Sequence, residues 1–421
     1  MEEVLAVFGA FLGASPVAAA ATVFIFDVPR DLLSLTSLAI GRYRQQEPPD
    51  TDQRKTQITF VIPVHNDAEG LLVTLRSIKH QKSVRHEVIV ISDGSTDKTN
   101  AVATALKEQG AIDRLIINDQ RLGRGVSGNV ALHFVKTEFV MFVDCDTQVA
   151  SDAPEALHSR LESRPHAGVC SGNIAVANHH NSLWTALQQL EYMVAIDFGR
   201  EFADTFNAIT CCSGALSMFR TQHLRHLGGY SPGSGEDLGT TLRFRRAGYE
   251  VHFEAKAWAY SHAPETLAAL TRQRLRWDRD AFRLQILQYR QWKKQSANET
   301  LANSLQRYDY ILFTLLPTLM MPFLLPIIAS VPAEQRLAVV GGGYAFLVCI
   351  SILILAPAFM AYRGHSSAFL MLVLPIYPAY QGIFLKAIRL YAYLSEAIGH
   401  ASKHDHFVPA RIRANLEKID P

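Results

Sequence analysis

Two carboxylates one residue apart follow the apolar run FVMFV, at Asp144 and Asp146. The run predicts a buried strand, and a strand end is a costly place for two like charges because each raises the pKa of the other. A solvated turn would explain the pair, since Asp is a common turn residue. A bound divalent cation is the alternative explanation, because hard cations prefer carboxylate oxygens. The pair is therefore a candidate metal site.

Two further polar loops follow predicted strands earlier in the chain. The strand ITFVIP (58–63) leads to Asp67, and the strand in EVIVIS leads to Asp93. The other predicted elements are helices over 67–81, 101–110 and 129–136 and strands over 113–118 and 138–146. This alternation predicts an α/β fold with a mostly parallel sheet covered by helices on both faces. Ligands bind beyond the carboxyl ends of such strands, so these loops should converge on one edge.

A glycine-rich segment, Gly123–Gly128, matches the dinucleotide-binding pattern G-x-G-x-x-G. That pattern should directly follow the first strand of a βαβ unit. Here it follows the third strand after a polar gap, which argues against a dehydrogenase. A glycine-rich basic loop before a helix can still approach phosphate through its backbone N–H groups. Arg124 therefore stays a candidate ligand-binding residue.

The second half of the chain carries two more candidate segments. Glu236 and Asp237 follow Gly235, where acidic residues suit a helix N-terminus as well as a catalytic role. In the segment QRLRW, a helix would place Gln273, Arg276 and Trp277 on one face. A cationic helix at a membrane surface is the alternative interpretation of that segment.

The charges are balanced but unevenly placed. Against 41 Lys and Arg stand 39 Asp and Glu, so no nucleic-acid partner is indicated. Four segments lack all four charged residue types, namely 4–26, 311–333, 337–362 and 366–385. Each is long enough to cross a bilayer, which takes about 20 apolar residues. The basic residues that follow the first segment place the next domain in the cytosol by the positive-inside rule.

Taken in order, the motifs IPVHND, SDGSTD, DCD, GED and QRLRW, followed by apolar segments, resemble those of the processive family-2 glycosyltransferases. These are the membrane synthases of cellulose, chitin, hyaluronan and poly-N-acetylglucosamine. The resemblance covers roughly residues 55–300. It implies a GT-A nucleotide-sugar-binding domain flanked by transmembrane helices, in the cell (inner) membrane, with the catalytic domain in the cytosol.

The resemblance also implies a role for each matching residue. Asp67 and Asp93 match positions that hold the uracil and ribose, and Asp144 matches one that contacts the nucleotide. Asp144 and Asp146 form the D-x-D element, in which Asp146 ligates Mg²⁺ or Mn²⁺. Asp237, beside Glu236, matches the general base. Gln273, Arg276 and Trp277 match the motif beside the diphosphate and the acceptor sugar. Two positions depart from the pattern: Asp67 stands where Glu is commoner, and Arg124 where Lys often occurs.

The implied organisation has five parts. They are a transmembrane helix (1–29), a linker (30–56), a GT-A domain (57–300) with interfacial helices near 181–203 and 279–296, a transmembrane region (308–386) and a basic tail (387–421). Three full C-terminal crossings would leave the basic tail outside, against the positive-inside rule. Because 311–333 contains Pro317, Pro322 and Pro326, we expect that segment to be bent or re-entrant.

The implied activity is transfer of sugar from a UDP-sugar, UDP-N-acetylglucosamine or UDP-glucose, to a growing β-linked polysaccharide or oligosaccharide, coupled to translocation across the lipid bilayer. One alternative is a non-processive enzyme that moves a single sugar to a lipid-phosphate carrier. Another is a transporter or receptor with a non-catalytic domain. The intact set of Asp93, Asp144, Asp146 and Asp237 argues against the last alternative.

Overall fold

The computed structural model describes residues 57–81, 84–288, 300–361, 367–405 and 408–410. The predicted N-terminal transmembrane helix (1–29) and linker (30–56) lie outside the described residues. So do 289–299, which hold part of the second predicted interfacial helix, and 411–421 of the predicted tail.

Eight strands form one sheet in the order β3-β2-β1-β4-β7-β6-β8-β5. In chain order, β1 to β8 are Gln57–Val64, Arg85–Asp93, Arg114–Asn118, Phe139–Phe142, Thr147–Val149, Ala167–Val176, Ser217–Arg220 and Glu250–Ser261. The first four strands are parallel neighbours. The other half is mixed, because β7 runs antiparallel to β4 and β6, and β5 antiparallel to β8. The strand predicted over 138–146 ends at Phe142, so Asp144 and Asp146 lie in the turn that follows it.

Helices cover both faces of this sheet, as the alternating pattern predicts. Their ranges are α1 Ala68–Lys79, α2 Thr99–Glu108, α3 Arg124–Leu132, α4 Ala153–Glu162, α5 Leu183–Tyr192, α6 Gly199–Thr205, α7 Thr221–His226, α8 Glu236–Arg246 and α9 Leu267–Phe282. Alternate residues of β1 enter opposite layers: Phe60 packs with residues of α1 and α4, and Val61 with residues of α3 and α8. This period of two is that of a strand buried on both faces.

The first predicted interfacial segment, 181–203, forms α5, a π-helical stretch over Met193–Phe198 and α6. Most of its apolar side chains do not face solvent, although Leu183 is 41% exposed. Leu187, Leu190 and Phe198 are buried against residues of the C-terminal apolar helices, including Leu370 and Tyr377. Helix α9 likewise continues into a π-helical stretch over Arg283–Leu287.

The C-terminal part is helical. The described residues contain α10 Leu301–Tyr310, α11 Leu316–Met320, α12 Leu324–Ser330, α13 Ala333–Ala361, α14 Ser367–Val373, α15 Tyr377–Ala379 and α16 Lys386–Gly399. Among the residues that the structure describes, three helical stretches are long and apolar enough to cross a membrane: Leu301–Ser330, Ala333–Ala356 and Ala368–Gly399. The third continues beyond residue 386, so the predicted boundary between membrane region and tail falls inside a helical stretch.

Candidate active site

The acidic loops meet at one edge of the sheet, as the parallel pattern predicts. Strands β1 and β2 are parallel, and Val64 lies opposite Ser92 at their carboxyl ends. Asp67 and Asp93, which follow these two residues, therefore lie at the same edge of the sheet. Asp67 caps α1 and accepts a hydrogen bond from the Gly70 amide at 2.9 Å. The Cys145 thiol, between the two D-x-D carboxylates, lies 3.5 Å from Asp67 Oδ2. The three strand ends therefore form one continuous acidic rim.

Asp93 is buried in this rim and organises the glycine-rich turn. Its carboxylate accepts hydrogen bonds from the amides of Leu122 and Gly123, both at 2.8 Å, and from the Ser127 hydroxyl at 2.7 Å. Gly123 has a φ of +86°, a conformation that favours glycine, and α3 begins at the next residue. Asp93 thereby fixes the start of α3, and its predicted contact with the nucleotide stays a prediction.

Arg124 is the residue at which the motifs meet. Its Nε donates to Asp144 Oδ1 at 2.6 Å, its Nη1 to Glu236 Oε1 at 3.0 Å, and its Nη2 to the Gly214 carbonyl at 2.6 Å. Burial disfavours its charge, yet Asp144 and Glu236 raise the pKa of Arg124 well above its ordinary value. The guanidinium thus joins the D-x-D element, the start of α8 and the loop at residues 211–216, which contains Gly214. This makes Arg124 a bridge within the site, whereas its predicted contact with the donor stays a prediction.

Asp146 differs from its neighbour Asp144, whose carboxylate is paired with Arg124 at 2.6 Å. Burial, with a smaller contribution from Asp144, raises the pKa of Asp146 to about 6. Among the described residues, no group of three His, Cys, Asp or Glu side chains is arranged to hold a metal. The candidate metal ligands in the described residues are therefore the two D-x-D carboxylates, and the ionised form of Asp146 is disfavoured by burial.

Glu236 and Asp237 open α8, immediately after Gly235 with a φ of +69°. Glu236 is paired with Arg124, and burial raises the pKa of its carboxyl. Asp237 accepts a hydrogen bond from its neighbouring amide, Leu238 N, at 2.7 Å, and lies beside the Cys211 thiol. The two acids are therefore not equivalent: the Glu236 carboxylate is fixed by its ion pair with Arg124, whereas the Asp237 carboxylate accepts from the amide of the next residue.

The QRLRW segment lies on α9, which confirms the predicted helix. Trp277 is 40% exposed, and its ring is backed by the Arg274 guanidinium at 4.5 Å from the ring centroid. Arg274 is buried and donates to Glu191 at 3.0 Å. The Gln273 side-chain oxygen is buried without a hydrogen-bond partner in the described part of the chain. The helix thus presents one open aromatic face and one unsatisfied acceptor.

Asp280, one turn after QRLRW, is a site residue that sequence reasoning missed. It is buried, accepts from the Ser234 hydroxyl, and pairs with Arg283 at 3.0 Å. A Cβ on Gly235 would meet the Asp280 Cβ at 2.9 Å. Asp280 therefore fixes the loop that starts α8. A charge at that position looks like any exposed helix charge, so the only signal was its helical spacing from Arg276 and Trp277.

These features fit a comparison with known families. The model of the family described as Glycosyltransferase like family 2 matches residues 56–279, more than half of the chain. The chain belongs to this family. That range contains every site residue described above, from Asp67 to Trp277, except Asp280 and Arg283, which lie just beyond it.

Curated relatives match the same part of this family-2 chain. The poly-beta-1,6-N-acetyl-D-glucosamine synthase of Staphylococcus aureus (strain COL) is 27% identical over 238 residues, 56% of this chain and 57% of the relative. The Staphylococcus epidermidis protein of the same name is 26% identical over 226 residues, 53% of this chain and 54% of the relative. The chain thus spans just over half the length of the curated relatives that it matches.

A solved structure shares the fold of this family-2 chain. The mannosyltransferase PcManGT from Pyrobaculum calidifontis, in complex with GDP-Man and Mn²⁺, aligns with a TM-score of 0.63 at 16% identity. The alignment covers 90% of this chain and 99% of that chain. The predicted GT-A fold, with helices on both faces of the sheet, is therefore confirmed, and the sheet is mixed where a mostly parallel one was expected.

Proposed function

We propose that this family-2 glycosyltransferase is a membrane enzyme that extends a β-linked polysaccharide from a UDP-sugar and inverts the anomeric centre. The observation that carries the proposal is the Arg124 bridge, which joins Asp144 to Glu236 at 2.6 and 3.0 Å. It holds the carboxylates expected to face the nucleotide beside the residue expected to act as base. The names of the curated relatives favour UDP-N-acetylglucosamine over UDP-glucose as the donor.

Asp237 is the proposed general base. It would accept the proton of an acceptor hydroxyl while that oxygen bonds to the anomeric carbon of the donor. The bond from this carbon to the diphosphate oxygen breaks at the same time, and UDP leaves with the electron pair. Attack opposite to the leaving group converts an α-linked donor into a β-linked product. Glu236 is less suited to this role, because its carboxylate is already paired with Arg124.

The D-x-D pair fits a hard divalent cation. Both ligands are carboxylates, and burial together with Asp144 raises the pKa of Asp146, so a cation bound there would stabilise its ionised form. Mg²⁺ is commonly held by one or two carboxylates together with substrate phosphates, so two protein ligands suffice. When bound, Mg²⁺ or Mn²⁺ would neutralise charge on the departing diphosphate. PcManGT, which shares the fold, is described in complex with Mn²⁺.

The acceptor side is proposed to lie along α9. Trp277 offers an exposed apolar ring on which a sugar can stack, and its rear face is occupied by Arg274. Arg276, on the same face, would supply a fixed positive charge to the leaving diphosphate. The three apolar helical stretches support a membrane location. Transfer of a single sugar to a lipid-phosphate carrier remains the alternative function.

The test is incubation of purified, reconstituted enzyme with one labelled UDP-sugar at a time, with Mg²⁺ or Mn²⁺, followed by sizing of the product. Polymer formed from UDP-N-acetylglucosamine alone supports the proposal, and a single-sugar lipid product supports the alternative. Asp237→Asn should lower turnover by about 10²- to 10⁴-fold, while UDP affinity changes little. Asp119→Asn, a change at an exposed turn, is the matched control. A third of wild-type turnover in Asp237→Asn would rule out its role as base.

A further inference from the structure

The third apolar stretch, residues 367–399, contacts the catalytic domain at its beginning. The Phe369 ring lies 5.7 Å from the ring of His180, which sits just before α5. Leu370 and Leu374 are buried with Leu187 and Leu190 of that helix. The start of this stretch is therefore packed on the α/β domain.

The middle of the same stretch stays on the domain. The Tyr380 hydroxyl donates to Glu191 at 2.8 Å, and this carboxylate also accepts from Arg274 on α9. The Phe384 ring lies 5.6 Å from that of Trp184. The contacts thus continue along α5 and cross to α9.

The end of the stretch, α16, packs along α9. Arg389 donates to Asp278 at 2.9 Å, and Arg279 to the Ser395 hydroxyl at 3.0 Å. The Tyr393 ring stacks on Phe282 with their centroids 4.9 Å apart. Beginning, middle and end therefore all contact one folded domain.

A helix that crosses a bilayer cannot do this. The hydrocarbon core is about 30 Å thick, so the two ends of a spanning helix lie on opposite sides of the membrane. Phe369 and Arg389 instead contact His180 and Asp278, which belong to the same catalytic domain. The extent of burial supports the same conclusion. In the most apolar part of this stretch 39% is buried inside the protein, against 12% and 6% in the corresponding parts of the other two stretches.

The outer face of the stretch is apolar and exposed. Its large exposed hydrophobic side chains are Met371 (54%), Leu372 (78%), Ile376 (43%), Ile383 (60%), Tyr391 (61%), Leu394 (49%) and Ile398 (82%). Its charged residues face the protein: Lys386 and Glu396 are buried, and Arg389 is paired with Asp278. A helix with one face on protein and one apolar face is suited to the boundary between headgroups and acyl chains.

The other two stretches form an out-and-back pair. Helix α10 begins at the catalytic domain, where Gln306 donates to Gln285 at 2.8 Å. Near the turn between α12 and α13, Leu325 and Leu337 are 75% and 84% exposed. Helix α13 then returns, because Leu355 is buried with Leu187 and Leu190 of α5. Both ends of this pair lie on the side of the catalytic domain.

We propose that, of the three apolar stretches in the described part of the chain, only 301–330 and 333–361 cross the bilayer, and that 367–399 lies in the membrane surface with its apolar face in the lipid. The inference rests on the membrane location given under the proposed function. Three full crossings would place the basic C-terminal tail outside, against the positive-inside rule. The in-plane arrangement avoids this without the bend that the sequence predicts in 311–333. Two crossings return the chain to the catalytic side, and the in-plane stretch leaves the basic residues after it on that side. The occupant of the exposed face is the bilayer, since the face continues directly from the apolar helices before it.

Single cysteines in the full-length chain test this arrangement. Glu334, Ala368 and His400 are exposed and mark the ends of the stretches. Each is replaced by Cys and labelled with a membrane-impermeant maleimide in right-side-out vesicles, before and after permeabilisation. The parent chain with its own cysteines is the control for background. We expect Glu334→Cys to be labelled from outside, and Ala368→Cys and His400→Cys to gain at least tenfold in labelling only after permeabilisation.

Each rival arrangement gives a different pattern. Three full crossings would expose Glu334→Cys and His400→Cys outside, and this would overturn the proposal. A re-entrant 311–333 followed by two crossings would expose Ala368→Cys alone, which would also overturn it. These patterns do not depend on turnover, so failure of the proposed function in the polymer assay is a separate outcome.

Depth is tested by a fluorophore on Ile383→Cys in vesicles that contain brominated lipids. An in-plane helix predicts stronger quenching by lipids brominated near the headgroup than by lipids brominated near the end of the acyl chain. Stronger quenching by the deep bromines would place the stretch inside the hydrocarbon core and would refute the in-plane arrangement.

Discussion

Asp146→Asn should make the metal-free protein more stable while it removes metal-dependent activity. Burial and Asp144 raise the pKa of Asp146 from its ordinary value of 3.8 to about 6. The fold therefore disfavours the ionised carboxylate, which Asn replaces with a neutral side chain of the same shape.

The sign and size of the effect follow from the two pKa values. Above about pH 6 the carboxylate is ionised in both the folded and unfolded states, so the full penalty applies; below about pH 4 it is protonated in both, and the penalty vanishes. A pKa difference of one corresponds to about 1.4 kcal/mol, which gives about 3 kcal/mol here. Partial exposure of the side chain lowers this to roughly 1–3 kcal/mol. For a domain of this size, each kcal/mol moves Tm by about 2–4 °C.

The assay is thermal unfolding of wild type and Asp146→Asn in detergent with a chelator present, at pH 8 and pH 4. We expect a higher Tm for the variant at pH 8 and no difference at pH 4. Asp119→Asn should show no change at either pH. A lower Tm than wild type at pH 8, or an equal increase in Tm at pH 8 and pH 4, would refute the idea that the ionised Asp146 carboxylate destabilises the fold. Calorimetric UDP titration should show Mn²⁺-enhanced affinity in the wild type but not in Asp146→Asn.

Three further substitutions probe the site. Arg124→Met should lower the free energy of unfolding by about 2–4 kcal/mol in chemical unfolding, because it leaves two carboxylates unpaired. Arg124→Lys should recover only part of this loss, since a single ammonium group cannot contact both carboxylates as the guanidinium does. Full stability in Arg124→Met would contradict the role of Arg124 as a bridge. Asp280→Ala should reduce polymer turnover by about 10- to 100-fold with little change in UDP affinity, and Asp280→Asn should restore part of it; parallel loss of both would place Asp280 on the nucleotide side. Trp277→Ala should reduce polymerisation roughly 2- to 10-fold more than hydrolysis of the donor, from the energy of an aromatic contact; equal losses would indicate a role toward the nucleotide.

The loops at the carboxyl ends of the parallel strands could be predicted from the local sequence pattern alone. Apolar strands alternating with helices specify a parallel sheet, and topology brings the ends of parallel strands together whatever the side chains do. The strand ends near Asp67, Asp93 and Asp144 needed no tertiary information. The mixed half of the sheet was less accessible, because β7 is only the four residues Ser217–Arg220 and its pairing with β4 joins distant parts of the chain.

Contacts between distant residues could not be predicted. The glycine-rich segment looked like a misplaced nucleotide fingerprint, but its glycines serve packing: a Cβ on Gly125 would meet the Ser231 carbonyl at 2.7 Å, and one on Gly128 the Phe142 ring at 2.9 Å. Arg124 pairs with Glu236, 112 positions away. Nothing in the sequence between these residues indicates that their side chains meet.

The site and the membrane surface are joined through α9. On one side, Asp280 holds Ser234 at the start of the loop that positions Glu236 and Asp237. On the opposite side, Asp278 and Phe282 hold α16 through Arg389 and Tyr393. Breaking one partner of a buried ion pair costs more than the pair contributes, so such contacts fix a geometry better than they stabilise a fold. The proposed base, Trp277 on the proposed acceptor side and the proposed in-plane stretch are therefore linked to one another through a single helix, α9.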